Sequence, residues 1–172
     1  WKNYPNSLDE ARSLLGQLSS RKKSYKKVIL FVPPPLPYLE SSREKLKNFA
    51  HLASQDISEV SDGTHTGLVG PSIIKSFGVK LTILGHSERR ALGETSELVA
   101  RKVKTALRAG IIPLVCVGEE LRDHEGGHFE FLREQIKLSL SGLSKKSDAS
   151  KLIVAYEPVW AIGKYALGAI DR

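Results

Sequence analysis

Apolar and polar positions along the chain follow two alternating patterns, one with helical spacing and one of short unbroken runs. Ser7-Leu8-Asp9-Glu10 has the form of a capping box, in which Ser7 accepts from the third helical N–H and Glu10 reaches back. Ala11, Leu14, Leu15 and Leu18 follow at helical spacing and predict a helix with one buried stripe. Val28 to Val32 (VILFV) is a continuous apolar run closed by three prolines, which predicts a strand buried on both faces. Pro37 can then open a helix through Lys47. Phe49 to Ser54 is a weaker strand, followed by a polar stretch from Gln55 to Gly70. Lys80 to Leu84 reads as a short strand, Glu94 to Ala109 as a helix with Val99, Val103, Ala106 and Leu107 on one face, and Ile111 to Val117 as the strongest strand. A further helix from about Gly127 to Leu143 is expected to turn Phe129, Leu132, Ile136 and Leu140 to the core. The polar linker Ser144 to Ser150 leads into Leu152 to Lys164 (LIVAYEPVWAIGK). There a buried strand is expected, with Glu157 just past its end and a loop carrying Trp160 and Gly163 after Pro158.

Strand and helix thus alternate five times, with strands starting near residues 28, 49, 80, 111 and 152. Connections of that length suit right-handed crossovers between parallel strands. The α/β sheet is either open and doubly wound or closed into a barrel, and in both forms function collects after the strands' C-terminal ends. Neither GxGxxG nor GxxxxGK[ST] follows any strand, which argues against dinucleotide and P-loop folds.

Composition narrows the class. The chain has 172 residues, 41% of them hydrophobic, enough for one globular domain. The longest apolar run, Ile111 to Val117, falls far short of the roughly 20 residues of a membrane helix, and Trp1-Lys2-Asn3 opens no signal peptide. A soluble protein with no membrane partner is expected. The single cysteine, Cys116, can form no internal disulfide and fits a reducing cytoplasm. The net charge is +7, and its densest basic run, Arg21 to Lys27 (RKKSYKK), suits a solvated turn better than a phosphate-tracking groove. Nucleic acid is not the expected partner.

Three strand ends carry candidate chemistry. A carboxylate at a strand tip beneath a loop that could close over it, as at Glu157, is a natural general base, although most carboxylates in that place are solvated loop residues. Leu84-Gly85-His86-Ser87-Glu88-Arg89-Arg90 sets a histidine at a strand tip before a short polar helical turn. The free N–H groups of such a turn disfavour protonating the imidazole. A neutral His86 can donate a hydrogen bond to a developing enolate oxygen, or merely cap the helix. Lys2 stands in a dipeptide that would follow an earlier strand, a position at which most lysines are bland. One motif competes: His124-Glu125-Gly126-Gly127-His128 fits the HExxH pattern of zinc proteases. Its two adjacent glycines disfavour a helix interior, so it reads better as a helix start and no metal is expected.

Taken together these residues resemble triosephosphate isomerase. Trp1-Lys2 is similar to the end of the family's asparagine-tryptophan-lysine motif, Gly63-Thr64-His65-Thr66-Gly67 to its interface loop, and Leu84 to Arg90 to its electrophile motif. Val115-Cys116-Val117-Gly118-Glu119 is similar to its fifth strand end, and Ala155-Tyr156-Glu157-Pro158-Val159-Trp160-Ala161-Ile162-Gly163 to its base and hinged lid. The resemblance implies a (β/α)8 TIM barrel that interconverts dihydroxyacetone phosphate and glyceraldehyde 3-phosphate in glycolysis and gluconeogenesis. Residues 1–172 would then be a single partial barrel domain of about six βα units, lacking the start of strand one and strands seven and eight. By position, Glu157 would move the proton, His86 would polarise the carbonyl oxygens and Lys2 would supply positive charge to substrate and enediolate. The N–H of Gly163 would bind a phosphate oxygen, and Ser87, Glu88 and Glu94 would support the site. The family's homodimer implies an interface over Gln55 to Gly67, with Gln55 and Thr66 at the contact. No cofactor is implied, and Cys116 reads as packing.

Departures from the family pattern are few. Asp56 replaces an asparagine, Leu68 replaces a glutamate, and Gly163-Lys164-Tyr165 lacks a threonine-glycine pair common in the lid. The competing reading is a non-catalytic barrel relative or truncated product. An open piece of such a barrel would also expose apolar sheet edges.

Overall fold

The computed structural model describes residues 1–61, 63–143 and 146–162, without the side chains of Lys146 and Ser147. Five parallel strands form one sheet in sequential order: β1 (Phe31–Val32), β2 (His51–Ser54), β3 (Leu81–Leu84), β4 (Ile112–Val117) and β5 (Ile153–Tyr156). The helices are α1 (Leu8–Ser20), α2 (Leu39–Leu46), α3 (Pro71–Ser76), α4 (Ser87–Ala91), α5 (Ser96–Ala109), α6 (Gly127–Ser139) and the short α7 (Lys146–Ala149). When each crossover advances the sheet in the same direction with the same right hand, the helices gather on one face. The sheet therefore curls about its other face, as in part of a TIM barrel, with no reversal of strand order as in a doubly wound fold.

Local signals explain most boundaries. Ser7 Oγ accepts from Glu10 N at 3.2 Å, while the Glu10 carboxylate reaches Asn6 N at 3.0 Å, one residue beyond the reciprocal bond of a capping box. Helix α1 buries Ala11 and Leu15, whereas Leu14 is exposed. Thr95 caps α5 through Leu98 N, and Gly110 ends it in the left-handed conformation, φ 70°. Val99, Val103 and Ala106 of α5 are fully buried against Leu84, Ile111 and Val115, and this is the centre of the core.

Three expectations need correction. The run Val28 to Val32 is a strand only at Phe31–Val32, and Val28 and Ile29 are exposed. The reason lies in register: β2 pairs from His51, opposite Phe31, so Val28 and Ile29 have no neighbouring strand among the described residues. Strand β5 exposes Ile153, Val154 and Tyr156, because β4 is its only strand neighbour among the described residues. The third concerns α6, which buries His128, Gln135 and Ser139, with Leu132 and Leu140 half-buried and Phe129 and Ile136 exposed. Helix α3, within a stretch for which no element was expected, is marked by Pro71 at its first turn and Gly78 after its end, φ 82°. At six residues it is too short to show a period.

Candidate active site

Parallel register brings the C-terminal tips Ser54, Leu84, Val117 and Tyr156 to one end of the sheet. The residues that follow each tip, Gln55, Gly85-His86, Gly118 and Glu157, accordingly converge there. His86 is the N-cap of α4, and its Nδ1 accepts from Glu88 N at 3.2 Å. With Nδ1 an acceptor, the ring proton belongs to Nε2, which lies 3.4 Å from Glu157 Oε2. The other carboxylate oxygen, Oε1, accepts from Ser87 N at 2.9 Å. Both side chains are 22% exposed, sheltered yet open to a ligand.

Lys2 reaches the same place from the start of the chain. Its Nζ lies 2.7 Å from Glu88 Oε1, and that bond holds the Glu88 carboxyl below its usual range. Among the described residues Lys2 is the one non-glycine with positive φ, at 30°, a conformation that must be held by its surroundings. Gln55 does the holding: its Nε2 donates to Lys2 O at 2.6 Å and to Pro33 O at 3.0 Å. The Gln55 amide is therefore committed within the chain, while Thr66 is exposed on its loop.

Two openings flank this cluster. One of about 540 Å³ is lined by Lys2, Gln55, His86 and Glu88, the other of about 380 Å³ by Ser87, Arg90, Gly118, Gln135 and Glu157. The His86 ring stands beside the carboxylate that faces the second opening, because the Ser87 N–H draws Glu157 toward α4. The arrangement offers a carboxylate base, an imidazole N–H donor and an ammonium group within one strand-tip surface. Gly163 and the altered lid sequence after it lie outside the described residues.

Glu94 acts from behind. Its Oε2 accepts from Gly85 N at 3.0 Å, fixing the residue before His86, and its Oε1 lies 2.5 Å from Lys102 Nζ. Sequence reasoning missed Lys102, which is buried, and the role of Asp56, whose two oxygens sit 2.8 Å from the same ammonium. Asp56 also pairs with Arg89 at 3.0 Å, and burial raises its carboxyl's pKa against the pull of Lys102. Arg90 was missed too. It donates to Gly85 O at 2.8 Å, Ser96 Oγ at 3.0 Å and Ser139 Oγ at 3.2 Å, tying the tip of β3 to α5 and α6. Just past β4, Glu119 Oε1 accepts from Tyr156 OH at 2.8 Å and Trp160 Nε1 at 2.9 Å, which anchors the turn that follows Glu157. Burial alone would raise the Glu119 carboxyl, but Trp160, its own backbone N–H, Tyr156 and the Arg122 charge together hold it below its usual range.

The HExxH stretch does not present two histidines on one helical face. Gly126 is left-handed at φ 86° and the helix begins at Gly127, so His124 lies outside it. Among the described residues, no group of three or more His, Cys, Asp or Glu is placed to hold a metal ion. No helix among them is long and apolar enough to cross a membrane.

Comparison with known proteins agrees with this geometry. The profile of the family described as triosephosphate isomerase matches residues 1–167. A triosephosphate isomerase of Fusobacterium nucleatum is 42% identical over 166 residues, covering 95% of this chain and 65% of the relative. One from Thermoanaerobacter pseudethanolicus is 38% identical over 165 residues, covering 95% and 66%. One from Herminiimonas arsenicoxydans is 46% identical over 132 residues, covering 75% and 53%. The chain thus spans 65% and 66% of the length of the first two relatives. Sequential parallel strands, strand-tip residues in matching order and a profile match along nearly the whole chain lead to one conclusion: the chain belongs to the triosephosphate isomerase family.

Proposed function

We propose that the protein interconverts dihydroxyacetone phosphate and D-glyceraldehyde 3-phosphate, a step of glycolysis and gluconeogenesis, by proton transfer through an enediolate. The observation that carries this reading is the 3.4 Å approach of Glu157 Oε2 to His86 Nε2, with Ser87 N–H holding the other carboxylate oxygen. Glu157 removes a proton from the carbon beside the carbonyl, and the electron pair moves into a carbon–carbon double bond as the carbonyl oxygen gains negative charge. The His86 Nε2–H donates to that oxygen, and the Lys2 ammonium stabilises the same charge. His86 gives its Nε2 proton to that oxygen and takes the hydroxyl proton from the oxygen on the neighbouring carbon, and return of the carbon proton from Glu157 to the former carbonyl carbon then completes the isomerisation with atoms and charge balanced.

An enediol phosphate exposed to water eliminates phosphate, so a closing loop after Trp160 belongs to this mechanism, with the Gly163 N–H on a phosphate oxygen. A homodimer with Gln55 and Thr66 at the contact, a cytoplasmic location and one barrel domain complete the reading. His86 and Glu157, from two strand tips, stand together with Lys2 from the start of the chain, which supports catalysis over a purely structural relative. The test uses protein expressed from the complete reading frame. Glu157→Gln is expected to lower kcat by about 10³-fold or more with unchanged circular dichroism, and His86→Gln by about 10²-fold. Retained turnover in Glu157→Gln would remove the base assignment.

A further inference from the structure

Gly118 follows β4, and its φ is outside the left-handed range, so backbone conformation does not demand glycine there. Space does. A Cβ on Gly118 would overlap the Glu157 carbonyl, lying 2.6 Å from its carbon and 3.0 Å from Pro158 N. These are backbone atoms, which cannot rotate aside as a side chain can. On either side of this contact the two segments are laced together: Glu157 N donates to Val117 O at 2.8 Å, and Val159 N to Glu119 O at 2.9 Å. The N–H of Gly118 turns toward α6, where Gln135 Oε1 accepts it at 2.9 Å. Gln135 is only 8% exposed, and it occupies a place on the buried face of α6 where an apolar residue would be the ordinary choice.

We propose that Gln135 and Gly118 are positioning residues for Glu157. Gln135 holds the Gly118 peptide, the bare Cα of Gly118 seats the Glu157 carbonyl, and the seat fixes where the carboxylate hangs between Ser87 N–H and His86 Nε2. The inference rests on the reading of Glu157 as the base. A base misplaced by about 1 Å can lose about 10²-fold in rate, so the contact is expected to act on turnover rather than on substrate affinity.

The experiment compares Gly118→Ala, Gln135→Met and Gln135→Glu in protein from the complete reading frame, the last keeping an acceptor oxygen at the same point. Two readouts are taken: steady-state kinetics on glyceraldehyde 3-phosphate and the Ser87 amide resonance by 1H–15N NMR. The expected result is a kcat lower by about 10²-fold in Gly118→Ala and by about tenfold in Gln135→Met, with KM within about twofold. The Ser87 amide moves in both, and Gln135→Glu recovers most of kcat. Parent-like kcat and an unmoved Ser87 amide in Gly118→Ala overturn the proposal, as does a loss confined to KM or to the folded fraction. If Gly118→Ala does not fold, the Gln135→Met and Gln135→Glu pair decides by the same criteria. Failure of the functional reading looks different, since the parent then lacks turnover or Glu157→Gln keeps it, while the Ser87 amide still reports on the positioning.

Discussion

Cys116 shows how a single side chain takes its chemistry from its neighbours. Burial and the adjacent Glu157 carboxylate push its thiol up to about 12, and the residue is 3% exposed. The thiolate, not the thiol, is the nucleophile, so native protein at pH 8 is expected to resist iodoacetamide, with full labelling in urea, as read by mass spectrometry. The linkage has a definite sign: the folded value is raised, so this group's contribution to stability is present below the unfolded thiol's range near 9 and is lost as pH rises toward about 12. At this scale Glu157 and His86 were legible because each stands just past a strand tip in a distinctive run of neighbours, and Lys2 because of the Trp1-Lys2 pair. Lys102 was not. An isolated lysine on a helix reads as solvated, and its burial follows only from Asp56, 46 residues away, and from Glu94.

Helix α5 carries the most consequential of the unforeseen interactions. Lys102 and Glu94 have side chains only 4% and 2% exposed, and Asp56 shares the same ammonium. Removing one partner of a buried pair strands the others, so Lys102→Met should lower unfolding free energy by about 3–5 kcal/mol in a urea titration. Because Glu94 also fixes Gly85, the variant should lose turnover as well as stability. A loss below about 1 kcal/mol would show that water solvates these carboxylates. The same element shows where periodicity works. Val99, Val103 and Ala106 were correctly placed because apolar residues repeat on a helix packed against a sheet. On α6 the apolar rule holds only in part, with Leu132 and Leu140 half-buried but Phe129 and Ile136 exposed, since the most buried positions serve polar partners: Gln135 bonds Gly118 N and Ser139 accepts from Arg90. Hydrophobicity cannot anticipate a face selected by hydrogen-bonding demand at a strand tip.

For the whole molecule, alternation of strand and helix gave the five-stranded parallel sheet, but left open whether it was doubly wound or part of a barrel. Strand order supplies the answer, and order depends on which distant strands pair, which no local window contains. The exposure of Val28, Ile29 and β5 has the same origin, since a strand-forming run is buried only where other elements meet it.

The separation of the site residues along the chain has a kinetic consequence. Ser87 and Glu157 are bonded across 70 residues, and Lys2 and Glu88 across 86. Contacts of such span bear a loop-closure cost that local helices do not, so they form late. On dilution from urea of protein from the complete reading frame, helical circular dichroism is therefore expected to recover before turnover of the proposed isomerisation, the interval marking closure of the sheet. Simultaneous recovery would mean that the helices themselves wait for the strands. The earliest collapsed forms would already have their helices while the candidate proton-transfer groups had yet to meet, making the proposed turnover a late reporter of folding.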